Sequence, residues 1–453
     1  MNNDLLRKIP RVDDIMKIAG KDSLEMTNPS LLLRSSREVL DELRKDILEE
    51  NITEIPKTSV IAEMIRKRMN NNSKNSLCKV INGTGITLHT NLGRSVIDKI
   101  AAQAAYDAAV NYTNLEYDLE TGNRGSRYSH VEKYICEITG CEAAVAVNNN
   151  AAAVMLIMHA LGYGKNMVIS RGELVEIGGS FRIPSVMEIA GVTLREVGCT
   201  NRTHIADYEN AIDENTAAIL KVHQSNFVIK GFTEDVNLDG LHKISKEKSI
   251  PLIYDLGSGD VEEIKKITGD YDLLCFSGDK LLGGPQSGII CGCKKYIDLI
   301  KKDNLIRTLR LDKMTLAALE VTLQHYILGE EQLIPTVNML NMTVERMEEK
   351  YNSFVNTLYE MENVKDAGTP TKFRVRKVIT TTKTGGGSRP EEELSDVCIS
   401  LKVYDYSEDE LALALRKNEP PIIGRISEGE FLLSMRTIFE DDFTLVAQGL
   451  MRL

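Results

Sequence analysis

Hydrophobic residues change their period along the chain, and the change marks out three stretches. Between Leu31 and Asn51, the apolar positions Leu32, Val39, Leu40, Leu43, Ile47 and Leu48 recur at helical spacing, which predicts an amphipathic helix. Pro10 stands just before an acid-rich start at Val12-Asp13-Asp14, and a further helix is predicted from Val60 to Met69. Asn70 to Ser76 is polar and reads as a linker. Residues 1–70 are therefore expected to form a small helical domain.

From residue 71 to about 330, short apolar runs alternate with helical patterns. Val145–Val147, Ala217–Val222, Pro251–Tyr254 and Asp272–Phe276 read as buried strands, and Val131–Thr139 and Leu238–Lys248 as helices. Repeated βα units predict a mostly parallel sheet covered by helices on both faces, with Ser287–Cys293 as a strand turning back beside it. A helix from about Met314 to Leu328 leads into residues 331–453. There a glycine-rich segment, Thr384 to Pro390, reads as a flexible loop, followed by a strand over Val397–Val403, a helix over Glu408–Lys417 and a closing hairpin from Pro420–Ile426 and Phe431–Thr437. The expected fold class is α/β: a large domain with a mostly parallel sheet, a small α+β C-terminal domain and the N-terminal helical domain.

The chemistry gathers at strand ends. Lys280 follows the run ending at Phe276, inside Ser277-Gly278-Asp279-Lys280 and ahead of Gly283-Gly284-Pro285. A lysine there suits imine formation with a carbonyl, which needs an environment that lowers its pKa. Asp255 closes the Pro251–Tyr254 strand before two glycines, at the carboxyl end where α/β sites form, and can pair with a pyridinium nitrogen. Asn148-Asn149-Asn150-Ala151 turns from a strand into a helix whose free N–H groups can hold a phosphate. This turn, the strand-end Asp255 and Ser277-x-x-Lys280 come in the order found in fold-type-I pyridoxal phosphate (PLP) enzymes. Asn149, Asn150, Ala151, His223 at its strand's polar end, Asp255, Ser277 and Lys280 are the cofactor-binding candidates.

Other polar stretches carry cations. Ile81–Arg94 is an irregular glycine-rich segment ending on Arg94, which can hold an anion. Arg124 and Arg127 lie in a polar loop, a composition that is often functional. Arg307 and Arg310, three apart, would share a helix face as a fork for an oxyanion. Arg436 could clamp a carboxylate, although an esterified substrate would offer none, which favours a structural role. Ser170–Ser180 lies where such enzymes place a ring-stacking residue, yet no aromatic occurs before Phe181.

The formal charge of −11 argues against a protein that coats nucleic acid with its whole surface. Residues 1–80, however, hold fifteen Lys/Arg against thirteen Asp/Glu, so this end is more basic than the remainder. Eight scattered cysteines without CxxC spacing suit buried reduced thiols, and the Cys291-Gly292-Cys293 spacing is too narrow for a structural zinc site, so no metal is expected. No apolar leader or membrane-length stretch occurs, which leads to an expectation of a cytoplasmic protein.

The motifs INGTGITLHTNLGR (81–94), YDLETGNRGSRY (117–128), RGELVEIGGSFRIP (171–184), DLGSG (255–259), SGDKLLGGPQ (277–286), RTLRLDK (307–313), GGGSRPEEEL (385–394) and PPIIGRI (420–426) together resemble the bacterial selenocysteine synthase family, the L-seryl-tRNA(Sec) selenium transferases. That resemblance implies a fold-type-I PLP-dependent transferase converting seryl-tRNA(Sec) to selenocysteyl-tRNA(Sec) through a dehydroalanyl intermediate. It also implies Lys280 as the PLP lysine, Asp279 as an active-site acid, and Arg94, Arg307 and Arg310 as a basic pocket for selenophosphate. Residues 1–70 are then a tRNA-binding domain, and the protein a large homo-oligomer built from dimers. The competing reading is a PLP lyase for a small amino acid or amino-sugar phosphate, which has no reason to carry the helical domain.

Overall fold

The computed structural model describes residues 2–20, 28–178, 181–224, 227–361 and 373–453. Gly179 and Ser180, at the end of the 170–180 stretch, and Ser225 and Asn226 lie outside the described residues. The chain divides into two compact units, Met1–Lys79 and Val80–Leu453. No helix among the described residues is long and apolar enough to cross a membrane. All eight cysteines are unpaired: Cys275, Cys291 and Cys398 are buried as expected, whereas Cys78 and Cys199 are exposed.

The first unit contains helices Asn2–Leu6, Val12–Ala19, Pro29–Leu48 and Thr58–Ser73. Asn28 starts the longest by accepting the N–H groups of Ser30 (3.0 Å) and Leu31 (3.4 Å), with Pro29 at the first helical position, where its missing N–H costs nothing. Ile15, Ala19, Val39, Leu40, Leu43, Ile61 and Ile65 meet in one core. The polar stretch read as a linker is partly helix, because Asn72 donates across to Ser35 Oγ (3.2 Å) and Glu38 Oε2 (3.0 Å). The unit therefore ends at Lys79 rather than residue 70.

In the second unit the strands are β1 (Ile81–Asn82), β2 (Ala143–Val147), β3 (Asn166–Ser170), β4 (Glu176–Ile177), β5 (Phe181–Arg182), β6 (Thr193–Val197), β7 (Thr216–Val222) and β8 (Leu252–Gly257). They continue with β9 (Leu273–Ser277), β10 (Gly288–Gly292), β11 (Phe373–Gly385), β12 (Ser388–Val403), β13 (Ile422–Ile423), β14 (Arg425–Ser427) and β15 (Glu430–Ser434). The central sheet has the order β2-β10-β9-β8-β7-β3-β6. Only β10 runs antiparallel to its neighbours, β2 and β9. Side chains alternate between faces along each strand, so Val145 and Val147 join one core while Ala144 and Ala146 join the other. Burial on both faces is why these strands read as continuous apolar runs.

A second sheet, β11-β12-β15-β14, is antiparallel and packs its core (Phe354, Phe373, Val397, Ile399, Phe431, Leu433) against helices Val344–Met361, Glu408–Arg416 and Phe443–Met451. The glycine-rich segment expected to be a flexible loop is a tight hairpin turn between β11 and β12. Gly386 and Gly387 have φ of 63° and 69°, the left-handed pair that such turns require.

One segment links this sheet to the central one. β1 pairs in parallel with β13, Ser434 N–H donates to Gly83 O (2.9 Å), and Leu88 N–H donates to Thr384 O (2.8 Å). Residues 81–88, which open the second unit in sequence, thus belong to the C-terminal layer, and the chain leaves them through Gly93 (φ 96°) and Arg94 (φ 63°). A left-handed arginine is uncommon outside sites that hold it in place.

Candidate active site

The carboxyl ends of β8 and β9 and the amino end of helix Asn150–Gly162 converge on a cavity of about 330 Å³. Asp255, near the end of β8, is 6% exposed, and Asn150 Nδ2 donates to its Oδ1 at 2.8 Å. Burial pushes its carboxyl group above the usual range, opposed by the Asn150 hydrogen bond and by the Lys280 charge. Its backbone carbonyl receives the His223 N–H at 2.9 Å, which fixes the end of β7 beside β8. His223 Nδ1 is buried without a partner, and burial, together with Lys221, lowers its pKa.

Lys280 is 7% exposed, and no carboxylate lies within ion-pair distance of it among the described residues. Burial lowers its pKa, against the opposing pull of Asp255. The loop carrying it is fixed by backbone hydrogen bonds: Gly278 N–H to Ser287 O (2.8 Å), Leu281 N–H to Ser258 O (3.0 Å) and Gly283 N–H to Lys280 O (2.9 Å). Arg94 closes the cavity from the linking segment. Its Nη1 donates to Asp279 Oδ2 at 2.8 Å, while Ser95 Oγ donates to Gly284 O at 2.7 Å, so this segment is bonded to the lysine loop at two points.

At the remaining wall, Asn149 caps the helix by accepting Ala152 N–H at 2.9 Å. Asn150 and Ala151, whose N–H groups have no intrahelical partner at these first positions, line the cavity. A Cβ at Gly288 would lie 2.1 Å from Asn149 O, so only glycine lets β10 approach the turn this closely.

The structure therefore brings together Arg94, Asn149, Asn150, Ala151, His223, Asp255, Ser277, Asp279 and Lys280. It does not bring Arg307 or Arg310 into this cavity. The two also share no helix face: the helix spans Ile306–Leu309, and Arg310 is extended (φ −68°, ψ 145°), bridging Val147. Arg310 Nη1 lies 3.8 Å from Glu116 Oε1, and Glu116 also binds Arg124 (2.9 Å) and Arg127 (2.6 Å). The two loop arginines are thus neutralised by one carboxylate, whose pKa they lower, Arg127 most. Arg436 is turned into the C-terminal layer, donating to the carbonyls of Met339, Leu340 and Ser395, and does not line this cavity.

Phe181 and Gln286 also line the cavity and were not assigned from sequence. Gln286 follows the lysine motif directly, and Phe181 is the first aromatic after the 170–180 loop.

A profile of the L-seryl-tRNA selenium transferase family matches residues 80–439. The chain belongs to that family. It is 44% identical over 469 residues to the L-seryl-tRNA(Sec) selenium transferase of Clostridium perfringens (strain 13 / Type A), covering 99% of both chains. To that of Clostridium botulinum (strain Okra / Type B1) it is 43% identical over 465 residues, covering 99% of this chain and 98% of the other. Among solved structures, a D-glucosaminate-6-phosphate ammonia-lyase aligns with a TM-score of 0.60 at 21% identity, over 83% of this chain and 97% of that one. The architecture is the expected fold-type-I one.

Proposed function

We infer that the protein is a PLP-dependent transferase that converts L-seryl-tRNA(Sec) to L-selenocysteyl-tRNA(Sec). The observation that carries the reading is the pairing, in one cavity, of a buried lysine with lowered pKa and a buried carboxylate whose nearest described partner is an amide.

The donor set fits the cofactor. Asp255 is a buried acceptor for a protonated ring nitrogen, and the arrival of that charge would offset the cost of its own burial. The free N–H groups of Asn150 and Ala151, with Ser277, suit a phosphate. His223 and Phe181 line the same cavity. PLP, when bound there, supplies the electron sink that acidifies the seryl Cα–H and lets the β-hydroxyl leave.

This chain's own groups do the rest. Lys280, whose pKa burial lowers, can take the Cα proton and return it after selenium is delivered. Arg94, fixed by Asp279, places a guanidinium at the cavity wall for the anionic donor, read as selenophosphate. Asp279 acts through Arg94. Arg307, exposed, and Arg310, half-buried, remain donor-binding candidates from outside this cavity, in a protein proposed to work as a homo-oligomer built from dimers. Residues 1–79 are proposed to dock the tRNA.

The direct test is purified protein with seryl-tRNA(Sec) and labelled selenophosphate. Label in aminoacyl-tRNA is expected; its absence, with turnover of a small amino-sugar phosphate instead, would favour the lyase. In the same assay Asp255→Asn should hold PLP yet lower kcat by about a hundredfold or more, on the scale of a lost acid–base group. An Asp255→Asn enzyme with full activity would remove Asp255 from this role. Arg94→Ala should raise the KM for selenophosphate about ten- to a hundredfold, from about 1.5–3 kcal/mol for a charged hydrogen bond. Loss of PLP in that variant, with donor KM unchanged, would instead assign Arg94 to the cofactor.

A further inference from the structure

A second cavity of this unit, of about 710 Å³, shares no lining residue with the one at Lys280. Pro335, Val337, Met342 and Phe439 supply an apolar wall. Lys350, on helix Val344–Met361, and Arg436, just beyond β15, also line it, 5% and 2% exposed.

These two cations lack counter-ions. Lys350 Nζ donates to Ile438 O at 2.7 Å, and no carboxylate lies within 4 Å of it among the described residues. An ammonium has three donors, so two remain. Arg436 spends its terminal nitrogens on backbone carbonyls, and its Nε is buried without a partner. The two carboxylates that act on them, Glu440 and Asp396, are already engaged; the lining also carries Asp441, paired with Lys99 at 2.8 Å, and Glu331. Glu440 is bound to Arg346, and Asp396 accepts from Ser434 Oγ (2.7 Å) and Arg425 (3.3 Å). Arg346, also in the lining, is itself paired with Glu349 (2.8 Å) and Glu440. Burying charge without a counter-ion is costly, and a costly arrangement opening into a cavity suits a ligand that neutralises it.

We propose that this cavity is a second ligand site for an amphipathic oxyanion, a phosphate or carboxylate on an apolar body, held by Lys350 with Arg346 and Arg436 behind it. The apolar wall takes the body and the cations take the head group.

The protonation of Lys350 gives the site a signature. Burial, helped by Arg346 and Arg436 and opposed by Glu440 and Asp396, lowers its pKa to about 8. A bound anion favours the charged amine, so the complex holds more proton than the free protein. Affinity is then full below about pH 8 and falls as pH rises above it.

The test uses the full-length PLP-bound protein. Trace acetylation with acetic anhydride, read at the Lys350 peptide by mass spectrometry, is compared with and without benzyl phosphate, phenylacetate and benzyl alcohol. Protection of Lys350 by one or both anions, but not by the alcohol, is expected, and the stronger anion identifies the head group. Calorimetry should show that Lys350→Met weakens the same anion about ten- to a hundredfold. Should that variant fail to fold, the pH dependence of wild-type affinity stands in its place. No protection by either anion overturns the proposal, as does equal protection by benzyl alcohol or affinity independent of pH from 7 to 10.

Discussion

Lys280→Ala is expected to lose the borohydride-fixed pyridoxyl group and to lower selenium transfer by at least about 10²–10⁴-fold, the span of a missing acid–base group. Folding should survive, because the loop is held by the backbone hydrogen bonds of Gly278, Leu281 and Gly283 rather than by the amine. Removing a buried amine that lacks an ion-pair partner also relieves a desolvation cost. Two other lysines in this unit are as deeply buried and serve as controls. Lys221 is also penalised by burial, but Glu173 (2.9 Å) and Asp235 (3.0 Å) outweigh that and hold its pKa above the ordinary value, so it stays protonated and non-nucleophilic. Lys350 has a lowered pKa but lies in a cavity that contains neither Asp255 nor the Asn149–Ala151 turn. Peptide mapping of the reduced wild-type protein settles the assignment: an adduct on Lys221 or Lys350 would overturn the site proposed above.

The residues legible in the sequence were those whose chemistry sits at the end of a regular element. Asp255 and Lys280 follow apolar runs that must be central strands, and a central strand of a parallel sheet delivers its last side chains to the same edge as its neighbours. The Asn149–Ala151 turn was readable for the same reason. Arg94 was readable as a candidate anion ligand, and it does line the cavity, but its carrier was not placeable. Residues 83–94 have no period, and their partners, Ile423, Ser434 and Thr384, lie some three hundred residues away. The arginine fork failed for a local reason: three-residue spacing places side chains on one face only while the helix lasts, and Arg310 leaves it to bridge Val147. Phe181 and Gln286 lie next to stretches that were read, but their own place at the cavity depends on how distant loops meet.

Deleting residues 1–79 should abolish tRNA binding while leaving PLP in place, since the two units have separate hydrophobic cores. The structure shows which charges of this unit are left over for it. The Arg66-Lys67-Arg68 run is mostly spent at home, with Arg68 on Glu42 at 2.7 Å and Arg66 on Glu63 at 3.0 Å. Arg7, Lys8, Arg11, Lys17 and Lys67 are instead exposed, and no ion pair is found for them among the described residues. If these five contact phosphates, each releases a counter-ion, and the log–log slope of affinity against salt should be roughly −4 to −5, at about −0.9 per contact by analogy with duplex DNA. Changing Arg7, Lys8, Arg11 and Lys17 together to glutamine in the full chain should flatten that slope to about −1 and weaken binding at low salt most. Fluorescence anisotropy of labelled tRNA(Sec) across a salt series measures both. Unchanged affinity in the deletion would remove the helical unit from tRNA docking, and an unchanged slope in the quadruple variant would move the contact to other residues of that unit.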